Sequence, residues 1–105
     1  MKNEGTVETL ADLVSQQSGS VVSKTLIKES AGSVTLFAFD QDQELSEHSA
    51  PYDAMVCVLE GTAQISIAGK PFAVASGQMI VMPANVPHAV KATEPFKMML
   101  TMIRN

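Results

Sequence analysis

From residue 54 to residue 92 the chain never runs more than six apolar residues before a turn-forming residue cuts it. The run at 54–59 ends at Glu60 and Gly61, and an alternating stretch at 64–67 ends at Gly69, Lys70 and Pro71. Residues 72–74 lead to Ser76 and Gly77, and the run at 79–82 meets Pro83. Short apolar segments broken every eight to ten residues by Gly or Pro are the pattern of an all-β sandwich or barrel. The only two histidines flank these runs, His48 before the first and His88 after the second. In a barrel, strands distant in sequence lie side by side around one interior, so histidines 40 residues apart can meet.

The rest of the chain extends the pattern. Residues 21–28 and 34–39 are rich in β-branched and aromatic side chains, with a turn at 30–33 between them. Residues 40–44 form a polar, acidic connection, 45–50 a short extended piece ended by Pro51, and 88–92 a strand after the Pro83-to-Pro87 loop. The last strand, 96–103, is apolar on both faces: Phe96, Met98, Leu100 and Met102 on one, Met99 and Ile103 on the other. Burial on both sides points to a subunit contact or sheet exchange, and so to a homodimer. At the other end, residues 1–5 are polar and expected to fray. Residues 6–16 space Val7, Leu10, Ala11, Leu13 and Val14 as one face of a short helix would. That piece reads as a lid or flank. The expected organisation is an N-terminal flank over 1–20 and a β-barrel over 21–105.

At 105 residues the chain makes one domain with a core of its own. A net charge of −4 with seven scattered Lys and Arg gives no electrostatic footprint for nucleic acid or an anionic membrane. No apolar stretch approaches the length of a membrane span and no leader pattern opens the chain, so a cytoplasmic protein is expected. Charged residues are 17% of the chain, low for a fully solvated surface, which fits a face covered by another copy. The single Cys57 lies inside an apolar run and reads as a small buried hydrophobe.

Between 34 and 103 the chain resembles the cupins, small jelly-roll barrels (double-stranded β-helices) marked by two motifs. In the second motif Gly77, Pro83 and His88 stand at the family's spacing, while Asn85 replaces a Gly and Ala92 an Asn. In the first, His48 and Gly61 are kept, but Asp42, Ala50 and Ala54 occupy the places of a Gly, the second His and the Glu. Asn at 85 suits a left-handed turn position nearly as well as Gly. The resemblance implies an all-β barrel with a short N-terminal helical or irregular segment. It also implies a centre where three histidines and a glutamate bind a divalent transition metal (Fe, Mn, Ni, Cu or Zn). Only His48 and His88 survive of those four ligands, and the methyl groups of Ala50 and Ala54 coordinate nothing.

Three readings of the pair follow. His48 and His88 could keep a reduced metal site, completed by water or by oxygen atoms of a ligand, as in metal-dependent dioxygenases or isomerases. Asp53 and Glu47 sit next to family positions, but neighbours on a strand face opposite ways, so either would need a bulge to re-aim it. Alternatively, the space vacated at Ala50 and Ala54 holds a small organic molecule, with His48, His88 and the lone tyrosine, Tyr52, as polar contacts. Third, the histidines are structural and the barrel serves as a structural or sensory dimer. Ser49 beside His48 is a sequence neighbour and no triad, so no reaction can be named from the fold. The methionines 55, 79, 82, 98, 99 and 102 read as adaptable packing, with soft Cu(I) ligation as the alternative.

Overall fold

Among the described residues the alternation produces nine strands in two antiparallel sheets. The computed structural model describes residues 5–104. The expected fraying of residues 1–5 falls, but for Gly5, outside the described residues. The strands are β1 (Val21–Glu29), β2 (Gly32–Phe39), β3 (Glu44–His48), β4 (Tyr52–Glu60), β5 (Thr62–Ile67), β6 (Lys70–Ala75), β7 (Met79–Met82), β8 (His88–Lys91) and β9 (Phe96–Arg104). One sheet runs β1-β2-β9-β4-β7 and the other β3-β8-β5-β6. They face each other as the two walls of a jelly-roll barrel, the all-β barrel expected from the turn spacing and the jelly roll implied by the resemblance.

Period-two burial supplies the core. On β4, Ala54, Val56 and Val58 are buried while Met55, Cys57 and Leu59 are half-buried. On β5 and β8, Ala63, Ile65 and Val90 face the same interior. One end is plugged by Phe39 and Phe96, cross-strand partners whose fully buried rings stack with centroids 4.5 Å apart. The histidines lie toward the opposite end, beside Leu100 and Met102 where β9 runs out toward Arg104.

The short helix expected over 6–16 is a single 3-10 turn, Leu10–Leu13, with no side-chain cap at Thr9. Tertiary contacts override the helical spacing. The segment is stretched across the outer face of the five-stranded sheet, where Leu13 and buried Val14 pack on Leu36, Ala38, Leu59 and Met99. Lys97 Nζ donates to Ala11 O at 2.6 Å, and Gln16 Nε2 to Phe96 O at 3.2 Å. This strap also corrects the reading of the last strand. β9 is internal, paired to β2 on one side and β4 on the other, so no edge is left for sheet exchange. Its outward Met99 is covered by the chain's own N-terminal segment, whereas Ile103 on the same face stays 57% exposed.

Left-handed turns account for the two residues that stand in place of family glycines, and for the glycine that is kept. Asp42 (φ +69°) and Asn85 (φ +65°) occupy family glycine positions and adopt the left-handed conformation, which Asp and Asn tolerate better than most side chains. Gly61 (φ +74°) has no such latitude: a Cβ there would lie 2.5 Å from Pro95 O.

Candidate functional site

Each histidine is placed by a local feature of its strand. His88 opens β8, next to Pro87, and faces inward two residues before buried Val90. His48 closes β3, whose pairing with β8 slips by one residue between Leu45 and His48. Leu45 opposes Val90 and His48 opposes His88, so three steps on β3 match two on β8. Without that bulge Glu47 would stand opposite His88. With it, His48 turns into the barrel and Glu47 joins the polar outer cleft lined by Glu44, Ser46, Gln64 and Lys91. The re-aiming needed to bring in a carboxylate therefore exists, but it delivers the imidazole.

The loops around the pair are tied down. Asn85 N–H donates to Ala50 O at 2.8 Å, joining the β7–β8 loop to the β3–β4 loop. Ala84 N–H donates to Asp53 Oδ1 at 2.9 Å. Asp53 is thus a loop anchor on the outer side and no ligand for the interior.

The two rings meet edge to face, with centroids 4.4 Å apart and planes at 70°. Their Nε2 atoms are 3.2 Å apart. His48 Nδ1–H donates to Ser46 O at 2.8 Å, and His88 Nδ1–H donates to Val86 O at 3.1 Å. A carbonyl oxygen can only accept, so both Nδ1 atoms carry the hydrogen and both neutral rings present a bare Nε2 lone pair. Two lone pairs at 3.2 Å repel unless a proton, a cation or a donor group lies between them. His88 is only 6% exposed, and His48 is exposed. Burial pushes His88 below the ordinary imidazole value of 6.5; the Val86 carbonyl pulls it upward, and neighbouring His48 lowers it further. Charging the buried His88 ring is therefore disfavoured.

A cavity of about 60 Å³ lies beside the pair. Its wall brings together all three residues singled out from the sequence, His48, His88 and Tyr52, with Ala50 and Ala54 and an apolar lining that includes Leu45, Met82, Met98, Leu100 and Met102. At a water's share of liquid volume, about 30 Å³, such a space corresponds to about two waters. The alternation of β9 already put Met98, Leu100 and Met102 on one face; that they face the histidines depends on pairing that no local pattern reveals. Arg104 was not anticipated at all. Its guanidinium carbon lies 5.0 Å from the centroid of the Tyr52 ring, because β4 and β9 pair these residues directly. Ser49 does not line the cavity, and Cys57 is a half-buried free thiol on the outer face of β4.

The donor set fits a metal only in part. Two imidazole nitrogens bound to one ion at about 2.1 Å lie about 3.0–3.4 Å apart for right-angled to tetrahedral geometry, so the 3.2 Å spacing suits cis ligands. No group of three His, Cys, Asp or Glu among the described residues could hold an ion. The four-ligand centre of the resemblance is not built here.

The model of the family described as the cupin domain matches residues 35–104. A conserved protein of unknown function from Streptococcus pyogenes is 39% identical, with a TM-score of 0.93 over 97% of this chain and 90% of its own. A cupin 2 conserved barrel domain protein from Leptotrichia buccalis is 43% identical, with a TM-score of 0.88 over 90% of this chain. The match spans 46% of that longer chain. A cupin superfamily protein from Desulfitobacterium hafniense, 24% identical, shares the fold with a TM-score of 0.90 over 97% of this chain and 93% of its own. No curated protein matches the chain. No helix among the described residues is long and apolar enough to cross a membrane.

Proposed function

The chain belongs to the cupin family, and from that premise we propose that its barrel binds a small organic molecule in the cavity beside His48 and His88. The observation that carries this reading is the pair of bare Nε2 atoms, 3.2 Å apart, at one end of an otherwise apolar cavity. Neutral, the pair accepts hydrogen bonds from a ligand O–H or N–H; sharing a proton, it offers a positive charge. Ala50 and Ala54 leave the room, and Met82, Met98 and Met102 are flexible enough to reshape the wall around a guest. Convergent polar groups in an apolar recess are the general form of a small-molecule site.

A thermal-shift screen of small acids, alcohols and amides tests the proposal. Binding stabilises the fold in proportion to ln(1 + [L]/Kd), so a true ligand raises Tm with concentration. The rise should vanish in the His48→Ala/His88→Ala variant. A rise that survives in that variant would refute a site centred on the pair.

The cis-ligand spacing favours one second reading, a two-histidine metal site whose other positions are filled by a ligand. When bound, an ion would supply Lewis-acid polarisation; the chain's own part would be to hold it through two Nε2 atoms oriented by the Ser46 and Val86 carbonyls. Elemental mass spectrometry after loading with Fe, Mn, Ni, Cu or Zn and desalting decides it. Near-stoichiometric metal, absent from the double variant, supports this reading, and an empty wild type rejects it.

A further inference from the structure

Tyr52 and Met102 line the histidine cavity on one side and, on the other, a cleft of about 120 Å³ at the barrel rim. That cleft also holds Lys28, Ser33 and Arg104. The strand register shows that the two spaces share one face. Lys28 opposes Ser33, Ser33 opposes Met102, and Arg104 opposes Tyr52. Cross-strand partners point the same way, and Met102 and Tyr52 face the interior, so Lys28 and Arg104 lie at the outer end of that interior surface. Glu29 also borders the cleft, but it opposes Gly32, one position over and on the other face of the sheet.

Resting on the small-molecule reading above, we infer that the ligand carries a carboxylate, seated between Lys28 and Arg104 at the rim, with its remaining atoms passing Tyr52 and Met102 toward the histidines. Three observations support this. A chain of net charge −4 places two cations, Lys28 and Arg104, in a cleft that shares Tyr52 and Met102 with the histidine cavity. Arg104 meets Tyr52 across the ring face, 5.0 Å from its centroid. A cation–π contact uses the flat face of the guanidinium and leaves its N–H edges for the fork that matches a carboxylate. The inner cavity is small, about 60 Å³, and mostly apolar, which calls for a short apolar tail behind the carboxylate.

Isothermal titration calorimetry with hexanoate, hexanamide and 1-hexanol tests the inference on the wild type and on Arg104→Gln, Lys28→Gln and Ala54→Leu. The last variant fills the cavity without touching the rim. Hexanoate should bind about tenfold or more tighter than hexanamide, from charge-assisted hydrogen bonds. That preference should fall in Arg104→Gln and Lys28→Gln and with added salt, while the amide is unchanged. Ala54→Leu should weaken all three compounds. Equal affinity for acid and amide, with both lost in Ala54→Leu, overturns the carboxylate inference and leaves the cavity reading standing. Acid-selective binding indifferent to Ala54→Leu overturns the idea of one ligand spanning both spaces. Failure of hexanoate to bind, where the thermal-shift screen finds a ligand that carries no carboxylate, overturns the carboxylate inference alone.

Discussion

Lowering the pH from about 7.5 to about 5.5 should destabilise this protein through His88. The folded barrel holds His88 below its ordinary value of 6.5, chiefly because the buried ring is costly to charge. Between the folded and unfolded values the unfolded chain carries the proton that the folded chain refuses, so stability falls as pH falls. The loss begins near the unfolded value and levels off once the pH passes below the folded one. One group limits the slope to about 1.4 kcal/mol per pH unit. In a domain of this size that corresponds to a fall of about 6 °C in Tm per unit at most. Urea unfolding at a series of pH values, on the wild type and on His88→Gln, isolates the effect, because every other titrating group is common to both. The difference between the two curves should narrow or reverse against the wild type as the pH drops. A difference that stays constant with pH would refute the account of His88 as a buried, charge-averse imidazole.

The remaining predictions concern the frame around the site. Gly61→Ala forces a Cβ toward Pro95 O at a positive φ and should cost about 2 kcal/mol or more in urea unfolding; a neutral result would show that the hairpin shifts freely. Lys97→Met removes the donor to Ala11 O and the cation 3.6 Å from Glu60. It should cost about 1 kcal/mol or more and speed amide exchange over residues 10–14, and unchanged exchange would refute the strap as a held element. A homodimer through the outer face of the five-stranded sheet, where Met79, Val81 and Ile103 are 50%, 48% and 57% exposed, predicts that Val81→Lys and Ile103→Lys yield monomers in analytical ultracentrifugation. A monomeric wild type would refute it.

Much of this barrel is legible in the sequence because its signals are local. Gly, Pro and Asn mark the turns, period-two alternation marks β4 and β5, and the spacing from Gly77 to His88 carries the family pattern. The absence of two metal ligands is equally plain at Ala50 and Ala54. What local signals miss is register. The slip between Leu45 and His48 exists only relative to β8, so nothing within residues 44–48 shows that His48 faces in and Glu47 out. Arg104 carries no signal of its own until β4 places Tyr52 opposite it. The two-faced apolar pattern of 96–103 suggests a partner, yet half of it is answered by Leu13 and Val14 from the same chain. The helical spacing of 6–16 has a similar lesson: those apolar residues serve a sheet face, and an extended strap meets that face with one turn of 3-10 helix.

The most direct test of the central claim is long-range proton–nitrogen NMR of the two imidazoles, before and after adding a compound that raises Tm. At pH values where both rings are neutral, each Nδ1 should resonate as protonated and each Nε2 as a bare lone pair. The compound should then move both Nε2 signals together and leave Nδ1 little changed. A ring found in the Nε2–H form, or Nε2 signals unmoved by a compound that stabilises the fold, would contradict a binding site built on the facing nitrogens of His48 and His88.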